Sequence, residues 1–178
     1  MGCTYDVINV RLENKDCVER FKDAFNEILA EDLYDGEFED FIIRKDDDSK
    51  YWVCAEEEPL FAMAEGYEIT ERFACEFAKL YPDMKFYMDY KCTFNNCGDA
   101  YYIEYNYNGN GIVKVKSMNA EMDGIFHCPE CDAFFEDGLV YLEDYNPNQV
   151  YVCPECGEKI EFDVYIEEVE IKIENVGE

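Results

Sequence analysis

The chain has 178 residues, and its 43 acidic against 15 basic side chains give a formal net charge of −28. Because a phosphate backbone attracts basic surfaces, this charge argues against direct binding of nucleic acid and favours a basic protein partner. Hydrophobic residues make up 48% of the sequence, which is ample for a folded core and argues against disorder despite the charge.

Two amphipathic helices are predicted before residue 90. The first has an apolar stripe at helical spacing, formed by Val18, Phe21, Phe25, Ile28 and Leu29. Asn14 is its predicted N-cap, because a short amide side chain accepts hydrogen bonds from the free N–H groups of a first turn. Thr70 is the predicted N-cap of the second helix, and Pro82 ends it. Its buried face is predicted at Phe73, Ala74, Phe77, Leu80 and Tyr81.

Short strands flank these helices. Apolar runs or alternation predict them at residues 8–12, 41–43, 51–54 and 84–90. The order strand, helix, strand, strand, helix, strand is typical of a ferredoxin-like α+β sandwich, with two helices on one face of an antiparallel sheet. We predict this domain over residues 1–118. A hairpin with its turn at residues 108–111 extends the sheet. Its tyrosines form either one core-facing side, which we favour, or an exposed aromatic patch.

A short run carries a family resemblance. From Leu80 to Tyr90 the chain reads Leu-Tyr-Pro-Asp-Met-Lys-Phe-Tyr-Met-Asp-Tyr, and it then leads into Gly98 and the hairpin. With the order of elements, this run resembles the end of the ferredoxin-like domain of the YubB-like family, which occurs on phages and plasmids. The resemblance extends from Cys3 to Val115. It implies an origin in a mobile element and no assigned catalysis.

The strongest motif is a pair of C-x-x-C turns in the last third of the chain. Each turn presents two thiolates, and four thiolates form the closed tetrahedral shell of a structural zinc ion. The predicted ligands of one zinc ion are Cys128, Cys131, Cys153 and Cys156. We therefore predict a zinc ribbon with a C-terminal β-strand over residues 119–178. A hairpin inside the ribbon is predicted from Val140, Leu142, Val150 and Val152, with its turn at residues 146–148.

The residues alone leave other roles open for the cysteines. The paired cysteines can form a redox dithiol, although strands and turns flank them rather than the helix N-terminus typical of such motifs. His127 can replace one cysteine as a ligand. Cys92 and Cys97 can form a second metal site with Cys3 or Cys17, but no second C-x-x-C turn pairs with them, which favours free or buried thiols.

The last strand is predicted from Ile160 to Ile173. Its apolar residues stand at even positions up to Ile166 and at odd positions from Val169 onwards. This change of phase predicts a bulge or a bend at residues 167–168.

Acidic residues form two candidate partner-binding groups. Glu161, Asp163 and Glu167 are predicted to lie on the solvent side of the last strand, where alternate carboxylates stand about 6.6 Å apart. Asp46, Asp47 and Asp48 form a second group in a predicted turn. Regular carboxylates on a stiff strand resemble the charge of a phosphate backbone. They suggest binding to the nucleic-acid-binding surface of a basic protein. The alternative is an ordinary acidic surface that aids solubility or reflects adaptation to salt.

These observations predict a protein that is not an enzyme. The single histidine abuts a zinc ligand, and the sequence contains no phosphate-binding glycine loop. We expect a cytoplasmic protein of phage or mobile-element type, without a membrane partner, that inhibits a host defence protein such as a nuclease. An alternative is a zinc-ribbon accessory subunit of a nucleic-acid-processing assembly. A metal-dependent hydrolase is a weaker alternative, because the charge repels its substrate.

Overall fold

The protein folds as an α+β structure around an antiparallel sheet. The computed structural model describes residues 6–13, 15–29, 41–45, 51–55, 66–92, 99–121, 124–135 and 138–174. Within these residues the helices are α1 (Lys15–Leu29) and α2 (Gly66–Leu80), and a 3₁₀ turn spans Leu142–Asp144. No helix in this described part has the length and apolarity needed to cross a membrane.

Seven of the described strands form the main sheet in the order β2-β3-β1-β4-β5-β6-β9, and every neighbouring pair is antiparallel. Their bounds are β1 Asp6–Leu12, β2 Phe41–Lys45, β3 Tyr51–Ala55, β4 Phe86–Cys92, β5 Asp99–Tyr107, β6 Ile112–Glu121 and β9 Val164–Lys172. A separate pair is formed by β7 Tyr151–Val152 and β8 Lys159–Ile160. The predicted boundary at residue 118 lies inside β6, and the C-terminal β9 pairs with that strand.

The helices cover one face of the sheet. Phe21 of α1 meets Phe73 and Phe77 of α2 edge-on, with ring centroids 5.3 and 5.5 Å apart. Beneath them Tyr105 and Tyr107 are fully buried, as predicted for the hairpin tyrosines. Aromatic pairs in this geometry add stability beyond the area that they bury.

Two details of α2 differ from the prediction. The helix begins at Gly66, a turn before Thr70, so Thr70 is not its N-cap and is instead fully buried within the helix. No helix breaker stands between the two residues, and a threonine is tolerated inside a helix when packing favours it. Leu80 is 49% exposed rather than buried, because it stands in the last turn before Pro82. The predicted cap Asn14 lies outside the described residues, and so does the side chain of Phe25.

Strands β6 and β9 bury one face of the sheet along one half of their length and the opposite face along the other half. On β6, Val115 packs beneath the helices on one face, which we call the helix face, whereas Met118 packs on the opposite, ribbon face. β9 makes the same change, with Val164 on the ribbon face and Ile171 on the helix face. The register between β6 and β9 is nevertheless continuous along the whole strand.

The bulge predicted at residues 167–168 is therefore wrong. The change of phase in the apolar pattern arises because β9 contributes first to one core and then to another on the other side of the sheet. Alternate residues of a regular strand point to opposite faces, so this change needs no extra residue.

Candidate metal centre

Two backbone turns of the same geometry position the four cysteines. In the first knuckle, the N–H of Cys128 donates to the carbonyl of Ala133 and the N–H of Asp132 donates to the carbonyl of Cys128, both at 2.9 Å. In the second, the N–H of Cys153 donates to Glu158 at 2.8 Å and the N–H of Gly157 donates back to Cys153 at 2.9 Å. Equal spacing along the chain makes the two knuckles structurally equivalent.

The four sulfur atoms lie together. All are within 4.8 Å of one another, and Sγ of Cys128 is 3.7 Å from Sγ of Cys156. Cys131 and Cys153 are 3.8 Å apart across the site. A tetrahedron of thiolates around a metal at about 2.3 Å has edges of about 3.8 Å, whereas a disulfide brings its sulfurs to about 2 Å. The four cysteines can therefore hold a metal ion, and they are free thiols rather than disulfides.

Backbone hydrogen bonds favour one thiolate in particular. Burial opposes the ionisation of Cys153, but N–H groups of Cys156 and Glu155 and the neighbouring thiols outweigh it and lower the pKa of Cys153 to about 7. At Cys131 the N–H of Ala133 favours the thiolate, yet burial and hydrogen bonds to the other sulfurs raise its pKa to about 12. Four thiolates this close need a cation to neutralise them.

Comparison with models of protein families, with curated proteins and with solved structures finds no match for this chain.

The module that carries the cysteines rests on the ribbon face of the sheet. Phe162 packs against both its inner cluster, around Cys128 and Cys153, and the cluster that includes Met118 of β6. Gly124 has a positive φ of 88°, and a Cβ there would lie 2.9 Å from Cβ of Phe162. Glycine is needed at this close approach, which joins the metal centre to the sheet.

The hairpin predicted inside the ribbon is not formed. Leu142 lies in the 3₁₀ turn and buries its side chain against the ribbon face, while Val152 belongs to β7 and pairs with Lys159 of β8. The predicted turn is present, since the N–H of Gln149 donates to the carbonyl of Asn146 at 3.0 Å. Burial of Leu142 against the sheet outweighs the local strand pattern.

The other sequence candidates are not part of this centre. The ring of His127 packs against the ring of Phe134, with centroids 5.1 Å apart. The group of possible metal ligands among the described residues contains cysteines alone. Cys17 is buried in the core beneath the helices. Cys3 and Cys97 lie outside the described residues, as does the side chain of Cys92, so a second site there stays a prediction.

The acidic candidates do not form one row. The predicted strand from Ile160 to Ile173 is divided into β8 and β9, and Glu161 and Asp163 lie in the irregular segment between them. Glu167 lies on β9 opposite Ser117. The strand pattern suggested continuity, but β8 pairs within the module whereas β9 pairs with the sheet. All three carboxylates are exposed, and Asp46, Asp47 and Asp48 lie outside the described residues.

One residue of the centre was missed by the sequence reasoning. Asp132 has a positive φ of 57°, the only such non-glycine residue in the described part of the chain, and it matches Gly157 in the second knuckle. The signal was present in the spacing, because each stands four residues after the first cysteine of its turn.

Proposed function

We propose that the chain is a zinc-stabilised, non-enzymatic acidic protein that occupies the nucleic-acid-binding surface of a basic protein. The observation that carries this proposal is the exposed acidic surface of β9 and the segment before it. Glu161, Asp163, Glu167, Glu168 and Glu170 are all exposed, on a chain with a net charge of −28. Folded carboxylates at this density attract basic surfaces over a Debye length and repel nucleic acid.

Zinc is the metal that fits the donor set best. Four thiolates in a tetrahedron select zinc or iron among the common metals, and a shell without an open ligand position is structural. The role of the ion is to fold the module, because residues 124–162 have few buried apolar side chains of their own. Metal analysis that finds iron instead would change the metal and leave the structural role.

The ferredoxin-like assignment of the N-terminal part belongs to the same proposal. The order β2-β3-β1-β4 with α1 and α2 on one face supports it. The resemblance to the YubB-like family supports an origin in a phage or plasmid, and a host defence nuclease is the kind of target that such an element would inhibit.

A capture experiment tests the proposed function. Immobilised protein is incubated with host-cell extract at low and high salt, and bound proteins are eluted by adding duplex DNA. We expect to capture basic nucleic-acid-binding proteins at low salt and to release them by adding DNA, because carboxylates and phosphates compete for the same surface of the partner. Purified partners are then tested for inhibition. Capture that is indifferent to salt and to DNA contradicts the proposal.

The exposed apolar side chains of the ribbon favour a second candidate. Phe134, Tyr141, Val150 and Val152 are between 47% and 61% exposed. Such side chains suit docking on another protein, so an accessory subunit of a nucleic-acid-processing assembly is the alternative. The partner of such a subunit would stay bound at high salt. Val150→Ser would release this partner, whereas neutralising the acidic side chains would not.

A further inference from the structure

The outermost described strand on one side of the sheet is β9, and no other described strand pairs with its outer edge. The N–H of Ile173 donates to the carbonyl of Gly111 at 2.8 Å, which places odd-numbered residues in the hydrogen-bonded pairs with β6. In an antiparallel ladder the intervening residues direct N–H and C=O to the other side. The outward groups therefore belong to Val164, Ile166, Glu168, Glu170 and Lys172.

The side chains of this edge are exposed and alternate in character. Tyr165, Ile166 and Val169 are 67%, 49% and 42% exposed, which is unusual for large apolar residues on a strand. Glu168 and Glu170 share the ribbon face with Ile166, whereas Tyr165 and Val169 lie on the helix face. An exposed edge with apolar side chains is a template for pairing with another strand.

The neighbouring strand β6 shows which sequence matches β9. Met118 lies opposite Ile166, Lys116 opposite Glu168 and Lys114 opposite Glu170. The Nζ of Lys114 is 3.7 Å from a carboxylate oxygen of Glu170. In an antiparallel strand, two basic residues at alternate positions followed by an apolar residue therefore complement the ribbon-face side chains of β9, and opposite charges across strands are stabilising.

We propose that β9 accepts an extended basic segment of a protein partner as an additional strand. Lysine or arginine side chains of that segment lie opposite Glu168 and Glu170, and an apolar side chain lies opposite Ile166. Main-chain hydrogen bonds supply affinity, and the alternating side chains supply specificity. This inference rests on the basic partner of the proposed function and assigns it a binding surface and a binding mode.

A second copy of the chain is a poorer occupant. Antiparallel pairing of β9 with itself about Glu168 sets this carboxylate directly against its copy, and like charges directly opposite are destabilising. The other outer strand of the sheet, β2, ends in Arg44 and Lys45, but each copy carries a net charge of −28 that opposes association.

A designed peptide provides the probe. The capped peptide Val-Lys-Val-Lys-Thr-Met-Val copies the pattern of β6, and a peptide of the same composition with its two lysines adjacent has the same charge without the alternation. Affinity is measured by calorimetry, and hydrogen exchange is followed by NMR. We expect tighter binding of the alternating peptide and slowed exchange at the amides of Ile166, Glu168 and Glu170. Equal affinity for both peptides, or no slowing at these amides, would overturn the proposal.

Matched variants locate the binding. Ile166→Pro removes one outward N–H and keeps the hydrogen bonds between β9 and β6. We expect it to lower the affinity for the alternating peptide about tenfold. Ile166→Val keeps the N–H and should bind as the unaltered protein does. Replacement of both Glu168 and Glu170 by Gln should weaken binding and remove its salt dependence. Zinc content and thermal melting verify that each variant folds. Undiminished binding by Ile166→Pro, or self-association that involves β9, contradicts the proposal.

The two proposals fail in different ways. If a purified partner that competes with DNA binds Ile166→Pro as tightly as the unaltered protein, strand addition is wrong and the proposed function stands. If the peptide adds as a strand but no partner competes with DNA, the edge is a docking site and the proposed inhibition is wrong.

Discussion

Asp132 and Gly157 occupy equivalent positions in the two knuckles, each four residues after a first cysteine and each with positive φ. The N–H of each donates to the carbonyl of that cysteine at 2.9 Å. Because an L-residue is strained in this conformation and glycine is not, only the first knuckle carries this strain, and the hydrogen bond from Asp132 to Cys128 helps to hold its bend.

Substitution of Gly157 tests this equivalence. A Cβ at this position meets no atom within 4 Å, so only the backbone conformation opposes a side chain there. Gly157→Ala should cost about 1–2 kcal/mol of unfolding free energy. Gly157→Asn should cost less, since asparagine tolerates positive φ as Asp132 does, and Gly157→Val should cost most. Chemical denaturation of zinc-loaded protein measures the series. Equal costs for Asn and Val would contradict the assignment.

Loss of one ligand should release the metal. Cys153→Ser removes a buried thiolate at the centre of the sulfur cluster, and the module should unfold because metal binding and folding are coupled there. Elemental analysis should find about one zinc per unaltered chain and none in the variant. Cys75→Ser on α2 is the control and should keep its zinc. A variant that retains stoichiometric zinc with a folded module would refute the four-cysteine site.

Truncation of Phe77 in the core beneath the helices should lower the unfolding free energy strongly. Its ring is fully buried and contacts Phe21, Phe73 and Phe86. Phe77→Ala should cost about 3–5 kcal/mol, because the cavity cannot be filled by its neighbours. Leu80→Ala, in the same helix but half exposed, should cost far less. Urea denaturation of both variants measures the difference, and similar losses would mean that the helical face is assigned wrongly.

The sequence predicted the two helices, the strands of the N-terminal part and the cysteine cluster, because these depend on local pattern. The periodicity of α2 located Phe73 and Phe77, and the C-x-x-C spacing located all four sulfurs. The start of α2 at Gly66 was not predicted, because the buried Thr70 has the type of side chain that commonly caps a helix. The change of face along β9 was interpreted as a bulge or a bend, since the sequence does not show that a second core lies on the opposite side of the sheet.

A hydrogen-bonded pair of tyrosines, the half-buried Tyr87 and the buried Tyr102, should make the protein sensitive to alkaline pH. The hydroxyls of Tyr87 and Tyr102 are 2.9 Å apart, and Tyr102 donates to a carboxylate oxygen of Glu104 at 3.0 Å. Burial raises the pKa of both tyrosines above the ordinary value, and the nearby Asp89 and Glu104 act in the same direction. In the unfolded chain each ionises near pH 10. A raised folded pKa therefore contributes stability that is complete below about pH 10 and is lost as pH rises towards the folded pKa.

Tyr102→Phe should show how much of the loss of stability at alkaline pH is due to ionisation of Tyr102. At neutral pH the variant should lose about 1–3 kcal/mol, because the hydroxyl that joins Tyr87 to Glu104 is gone. Between about pH 9 and pH 11 its stability should fall less steeply than that of the unaltered protein, since one fewer buried phenol must stay protonated. Urea denaturation across this range measures the slope. Tyr165→Phe is the matched control, because Tyr165 is 67% exposed and should leave the slope unchanged. If Tyr102→Phe leaves the alkaline slope as steep as before, the ionisation of this hydrogen-bonded pair does not limit stability.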